Sequence, residues 1–299
     1  MTLKLEHVEK RFGNFTAVDN VTLEIPERQM FGLLGSNGAG KTTTFRMILG
    51  LLQPSKGKIS WQGEQINYET SNMIGYLPEE RGLYPKLKVR DQLIYLGRLR
   101  GMKKPEIVEQ LSYWLEKFNV PEYMDKKVND LSKGNQQKIQ FIASVIHQPK
   151  LLILDEPFSG LDPVNLEILK SAVLELKERG TSILFSSHRM EDVEELCEHL
   201  CILHKGKQVV HGSLQEVKRA FGKKNVVVHA DYNLEELKDV PGVENFRKVP
   251  EGAELQVADE AVSQRIFERL SNKGFIRKFE LEEPSLNDIF IEKVGEVYA

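Results

Sequence analysis

The chain is 299 residues long, enough for two domains or for one large domain with an appendage. Hydrophobic residues at 40%, charged residues at 28% and a formal net charge of −3 describe an ordinary globular protein without the basic excess of a general nucleic-acid binder. Cys197 and Cys201 are too few for a disulfide framework, and there is neither a basic-then-apolar leader nor a run near the ~18 apolar residues of a membrane span; a reducing, cytoplasmic setting is expected, with any membrane role exerted through a partner.

The chain opens with strands. Leu3–Val8 and Ala17–Ile25 alternate, and Met30–Leu34 is a short apolar run ending in glycine. A helix is expected over Lys41–Leu52 with Gly50 tolerated inside it, then strands at Ile59–Gln62 and Ile74–Leu77. The middle reads as helical, over Val89–Arg100, Pro105–Phe118 and Lys138–His147; in the second, Ile107, Leu111, Trp114, Leu115 and Phe118 recur on one face, a core stripe. From Lys150 the pattern returns to strands at Leu151–Leu154, Thr181–Ser186 and Leu200–His204, separated by helices at Val164–Arg179 and Met190–His199, with a hairpin at Lys205-Gly206-Lys207. Strands alternating with helices predict a mostly parallel sheet wrapped by helices.

A boundary is expected near Phe221-Gly222-Lys223-Lys224, giving a first domain over 1–220 and a small α+β domain over 224–299. Strands at Asn225–Ala230 and Glu254–Val257, a helix at Ala261–Lys273 and an edge strand at Phe275–Leu281 make up the second. It carries no chemical motif, and a regulatory or dimer-supporting role is the expectation for it.

Gly35-Ser36-Asn37-Gly38-Ala39-Gly40-Lys41-Thr42 fits the phosphate-loop pattern G-x-x-x-x-G-K-[ST], and Thr43 follows it. The glycines let successive N–H groups curl inward around phosphates, and the helix beginning near Lys41 adds its positive end. Lys41 would reach the β and γ phosphates of ATP, and the Thr42 hydroxyl would coordinate Mg²⁺. The strand Leu151–Leu154 ends in Asp155-Glu156, which sets Asp155 to hold Mg²⁺ and Glu156 to orient or polarise the attacking water. A strand end of this kind is weak evidence alone and strong beside the phosphate loop.

Leu131-Ser132-Lys133-Gly134-Asn135-Gln136-Gln137-Lys138 resembles the signature of ATP-binding-cassette (ABC) ATPases, and Ser159-Gly160-Leu161-Asp162 resembles that family's D-loop. His188, after the strand Ile183-Leu184-Phe185-Ser186, matches the family's switch histidine, and Phe12 stands where the family stacks adenine, although an aromatic there is otherwise a core residue. The resemblance covers about residues 1–220 and implies a P-loop cassette with a mixed sheet and a helical subdomain. It further implies a homodimer closing head to tail, in which Ser132 and the Gly134 backbone cap the ATP held by the other copy's phosphate loop. His188 would contact the same γ-phosphate, and Asp162 would link the two sites.

Two positions depart from the family. Glu79 stands where a glutamine is usual and is expected to keep that residue's Mg²⁺-sensing role; the signature reads Ser-Lys-Gly-Asn in place of Ser-Gly-Gly-Gln, with Lys133 placed either near the partner's nucleotide or in solvent. The closing segment Pro284-Ser285-Leu286-Asn287-Asp288-Ile289-Phe290-Ile291-Glu292 resembles that of exporter cassettes paired with a separate membrane permease. The form of the signature over Leu131–Lys138, with Tyr76-Leu77-Pro78-Glu79-Glu80-Arg81-Gly82-Leu83-Tyr84-Pro85 upstream, resembles the subgroup that includes bacterial sodium-extrusion ATPases. Leu83–Arg90 is either the permease contact or a packed turn. The competing classes are a soluble ABC ATPase acting on ribosomes or DNA, and a nucleotide sensor without turnover. The first lacks the coiled-coil insertion or second cassette it needs, and intact Lys41, Asp155, Glu156 and His188 argue against the second.

Overall fold

The computed structural model describes residues 3–80, 82–271 and 273–295. The chain divides into two compact units, Met1–Gly212 and Ser213–Ala299.

The first unit contains β1 (Leu3–Phe12), β2 (Phe15–Ile25), β3 (Met30–Leu34), α1 (Lys41–Ile48), β4 (Lys56–Trp61), β5 (Glu64–Gln65), α2 (Tyr68–Ser71) and β6 (Ile74–Leu77). It continues with α3 (Val89–Leu99), α4 (Lys104–Lys117), α5 (Lys133–Val145), β7 (Leu151–Asp155), α6 (Pro163–Glu178), β8 (Ser182–Ser187), α7 (Met190–Leu196), β9 (His199–His204) and β10 (Lys207–Ser213). One sheet has the order β2-β1-β4-β5, and its mapped pairs are antiparallel; the other runs β10-β9-β3-β8-β7-β6, with β9, β3, β8, β7 and β6 mutually parallel. The central strands β3, β7 and β8 are buried along their whole length, as a parallel sheet covered on both faces requires. Apolar residues of both sheets, among them Leu5, Val21, Phe31 and Ile153, share one core with Phe45 of α1.

Local signals explain the first sheet. Leu3, Leu5 and Val8 all face the core although the last step is three residues, because His7 adopts a positive φ of 50° in a bulge between Leu5 and Val8. Gly57 accommodates that bulge, since a Cβ there would lie 2.4 Å from the His7 carbonyl oxygen.

The expected core stripe of α4 is buried in full, with Trp114 packed against Phe118 and Phe141. In this unit, three helix boundaries differ from expectation by three residues or more. α1 stops at Ile48 rather than Leu52, because Gly50 takes a left-handed φ of 71° and closes the helix through its N–H to the Met47 carbonyl. α7 ends at Leu196 rather than His199, since Glu198 N–H bonds to the Met30 carbonyl and His199 pairs with Phe31 as β9 begins. α5 begins at Lys133 rather than Lys138, with Ser132 as its cap. The hairpin at Lys205-Gly206 forms as expected, both residues having positive φ.

The second unit holds α8 (Leu214–Phe221), β11 (Lys224–Ala230), β12 (Val243–Val249), β13 (Gly252–Val257), α9 (Glu260–Leu270), β14 (Ile276–Glu282) and α10 (Leu286–Gly295). Its antiparallel sheet has the order β12-β13-β11-β14, with β14 on an edge. This is the split β-α-β arrangement with its first helix reduced to the 3₁₀ turn Glu235–Asp239. Its separate core joins Val226, Val228 and Leu255 of the sheet to Val262, Ile266 and Leu270 of α9. The division at Gly212 falls before the expected 221–224 boundary. α8, with a Ser213–Glu216 capping box at its start, therefore belongs to the second unit.

Candidate functional site

The parallel strands end on one side of the sheet, and the chemistry-bearing segments are the turns that leave them. After β3, the chain turns through Gly35–Gly40 into α1. Gly35 has φ 151°, and a Cβ there would lie 2.5 Å from the Leu203 carbonyl oxygen; Gly40 has φ 108°, and its Cβ would meet the Ala17 carbonyl at 2.6 Å. Gly38, at φ 80°, faces open space. Larger residues at the first two positions would push the loop off its neighbours, so the glycines set its curl. Lys41 is buried at the start of α1 and donates from Nζ to the Gly35 carbonyl at 2.7 Å.

Opposite this loop, β7 delivers Asp155 and Glu156. Asp155 is buried, and its Oδ2 has no hydrogen-bonding partner; Glu156 is also buried and turns the chain with a left-handed φ of 50°. Glu156 Oε1 lies 3.6 Å from Lys41 Nζ, and Oε2 lies 2.7 Å from His188 Nδ1. The His188 N–H is 3.4 Å from the same Oε2. The end of β8 contributes Ser186, whose hydroxyl donates to Asp155 Oδ1 at 2.6 Å and accepts from the Glu156 N–H at 3.0 Å.

A cleft of about 420 Å³ lies between these turns, lined by Phe15, Ala17, Ser36, Asn37, Gly38, Ala39, Gly40, Lys41, Thr42, Thr43, Glu79, Asp155 and Glu156. Nearly the whole expected phosphate loop, both carboxylates of β7 and Glu79 therefore meet in one place, with His188 joined through Glu156. Tyr76, on β6 beside this edge, has its phenol pushed up to about 12, by burial first and then by the Asp155 carboxylate. Oxygen donors suited to Mg²⁺ are at hand, since Thr42, Glu79 and Asp155 line the cleft and the buried Asp155 Oδ2 has no protein partner. The residues thus fit the ion.

The remaining expected residues lie elsewhere. Phe12 is half exposed, carries Lys10 Nζ 5.3 Å from its ring centre and does not line the cleft; Phe15, its partner in the last pair of the β1–β2 hairpin, does. Alternation along β1 could not separate the two, because both flank the Gly13-Asn14 turn. Ser132, Gly134 and Asp162 are also outside the cleft. Ser132 accepts from the Asn135 N–H and Asp162 from the Asn165 N–H, so each caps a helix, α5 and α6 respectively. A Cβ on Gly134 would lie 3.5 Å from Asn165 Nδ2, which places the signature beside the D-loop. Those hydrogen bonds from Asn165 also hold the Asp162 carboxyl below its usual range. Ser186 was not among the expected residues, because a serine in an apolar strand resembles any strand end. Cys197 and Cys201 are buried thiols with pKa values raised by burial, and among the described residues no His, Cys, Asp and Glu group could hold a metal by itself.

A phosphate loop feeding the edge of this parallel sheet, with a second sheet before it and a helical segment between β6 and β7, defines a nucleotide-hydrolysing P-loop cassette. The ABC transporter family profile matches residues 18–159, and the profile described as ATP-binding protein DrrA1-3-like, C-terminal domain, matches 212–294. The chain is 66% identical over 296 residues to the ABC transporter ATP-binding protein YhaQ of Bacillus subtilis (strain 168), covering 99% of both chains. It is 34% identical over 300 residues to the Nod factor export ATP-binding protein I of Cupriavidus metallidurans, covering 98% of this chain and 97% of that one. A solved ATP-binding subunit of an ABC transporter superposes with a TM-score of 0.70 at 31% identity, over 74% of this chain and 94% of the other. The chain belongs to the family of ABC transporter ATP-binding proteins and is an ATPase. Among the described residues, no helix is long and apolar enough to cross a membrane.

Proposed function

We propose that this chain is the ATP-driven motor of an exporter, acting on the cytoplasmic face of the membrane through a separate permease, as a dimer of two copies. The observation that carries this reading is the division of the machinery. Lys41, Asp155, Glu156 and His188 converge on the phosphate-loop cleft, whereas Ser132 and Gly134 stand outside it at the start of α5. A signature that does not reach its own cleft is suited to cap the cleft of a second copy. The Ser132 hydroxyl and the free N–H groups of the first turn would then donate to the γ-phosphate.

Within one cleft, Lys41 exchanges its contacts with the Gly35 and Ser36 carbonyls for the phosphates, and the loop N–H groups cradle them. Glu156 accepts a proton from, or orients, the water that attacks the γ-phosphorus as the bond to the bridging oxygen breaks, releasing ADP and phosphate. His188 holds the Glu156 carboxylate until it turns toward the γ-phosphate. Bound Mg²⁺ would neutralise phosphate charge, held by Thr42, Asp155 and Glu79. Phe15 is the better placed aromatic for adenine, and Phe12 follows it across the hairpin. Asp162 would link the two sites of the dimer.

Export is supported by the profile match of the C-terminal unit and by the relative named for Nod factor export. Sodium or another small solute would be chosen by the permease, since the cassette meets nucleotide and partner but not cargo. Tyr84 and Leu87 stand exposed between β6 and α3, while backbone bonds from Val128 to Leu87 and from Asn129 to Pro85 hold the segment as a formed surface for that permease.

The Glu156→Gln form, purified with ATP from detergent-solubilised cells, should be trapped as a closed dimer and bring a polytopic membrane protein with it. Recovery of ribosomes or nucleic acid without a membrane subunit would instead favour a soluble machine.

A further inference from the structure

We infer that Ser186 is a positioning residue for ATP hydrolysis, its single hydroxyl setting both the cation-facing oxygen of Asp155 and the backbone of Glu156. The inference rests on the reading of Asp155 and Glu156 given above and extends it to a residue that does not line the cleft.

Ser186 lies in β8, directly in register with Asp155 of β7 across the parallel pairing, and it is completely buried. In that register the two side chains leave the same face of the sheet. The hydroxyl has one proton and two lone pairs, and the site uses it in both senses. Its proton goes to Asp155 Oδ1 at 2.6 Å, and a lone pair receives the Glu156 N–H at 3.0 Å.

Each bond has a consequence. With Oδ1 engaged, Asp155 Oδ2 is the oxygen without a protein partner, so the carboxylate is oriented with one defined oxygen free for a cation. At Glu156, φ is 50°, a left-handed conformation that is strained for a non-glycine residue and persists only when its surroundings hold it. The bond to Ser186 Oγ is the contact holding that N–H. Two residues on, His188 grips the Glu156 carboxylate from the same strand end, so β8 fixes the backbone and side chain of Glu156 from one base. An apolar residue at 186 would leave a buried N–H and a carboxylate oxygen unpaired in a region where both must be satisfied.

The test compares wild type, Ser186→Ala and Ser186→Thr, which retains the hydroxyl, by steady-state ATPase activity, ATP affinity in EDTA and in Mg²⁺, and thermal melting. Ser186→Ala should bind ATP in EDTA as wild type does, gain several-fold less affinity on adding Mg²⁺, and turn over about 10- to 100-fold more slowly at saturating ATP, in the range expected for a lost positioning contact. Ser186→Thr should restore both quantities. If Ser186→Ala does not fold, Ser186→Cys, with a comparably small but weakly hydrogen-bonding group, should show the same two losses. Wild-type turnover and a full Mg²⁺ gain in a folded Ala or Cys variant would overturn the inference, as would equal losses in the Thr variant with unchanged melting. Failure of the wild-type chain to bind or hydrolyse ATP would strike the reading of the site itself, which separates the two.

Discussion

His147 shows how a single residue outside the site ties stability to pH. Its imidazole, at the end of α5, offers Nε2 to the Ile74 carbonyl at 3.3 Å, while buried Nδ1 has no partner. Burial first, and the nearby Arg100 charge second, depress its pKa from 6.5 to about 4. Between those two values the unfolded chain takes up a proton that the folded chain resists. The stability in question is therefore fully present above pH 6.5 and is lost as pH falls toward 4, by at most about 3 kcal/mol. Urea unfolding at pH 7 and pH 5 should show a smaller difference for His147→Gln than for wild type. An equal difference would place the acid sensitivity in other groups.

At the scale of elements, α6 and α7 are joined by charge rather than by an apolar seam alone. Lys170 on α6 is nearly buried and lies 3.1 Å from the fully buried Asp192 on α7, with Glu195 beside it. The contact is an ion pair rather than an aligned hydrogen bond, since neither Asp192 carboxylate oxygen has a hydrogen-bonding partner. Burial opposes the charge on Lys170, but Glu195 and Asp192 outweigh it and raise the lysine pKa. The two helices start beside two of the proposed site residues, because Asp162 caps α6 and His188 lies two residues before α7. Lys170→Met should leave Asp192, among the described residues, with Arg189 alone, at 3.6 Å, and cost about 3 kcal/mol. Lys170→Met with Asp192→Leu should cost less than that single change, because no buried charge is left unpaired; Glu195 and Arg189, which lose their partners, are exposed to solvent. Denaturant titration of both single variants and the double variant measures the coupling; a double variant less stable than Lys170→Met would show that Asp192 stabilises the fold through contacts other than Lys170.

For the whole molecule, separate cores make the two units independently testable. Every residue lining the phosphate-loop cleft belongs to the unit ending at Gly212, and the core of the second unit is built from its own sheet and α9. A fragment of residues 1–212 should fold with a cooperative melting transition and bind ATP with an affinity within a few-fold of the full chain. Fluorescent nucleotide binding and calorimetry check this. An unfolded fragment would show that the C-terminal unit is part of the cassette's stability rather than an addition to it. Dimerisation of the Glu156→Gln form with and without residues 213–299 then measures whether the second unit supports the dimer.

Residue order alone determined the turn from β3 into α1, the strand ending in Asp155-Glu156, the buried stripe of α4 and the buried thiols. These depend on spacing along one element, and backbone geometry carries spacing directly into space. What only tertiary structure decided lies where two segments distant in sequence compete or cooperate. α7 yields its last turn because Glu198 finds a partner in Met30. The ring at the cleft is Phe15 rather than Phe12, a choice made by how one hairpin packs beside the phosphate loop. Ser186 gains its place from parallel register with Asp155, thirty-one residues away in the chain. Hydrogen bonds across strands are satisfied only when the sheet is assembled, so no local pattern in the sequence announces them.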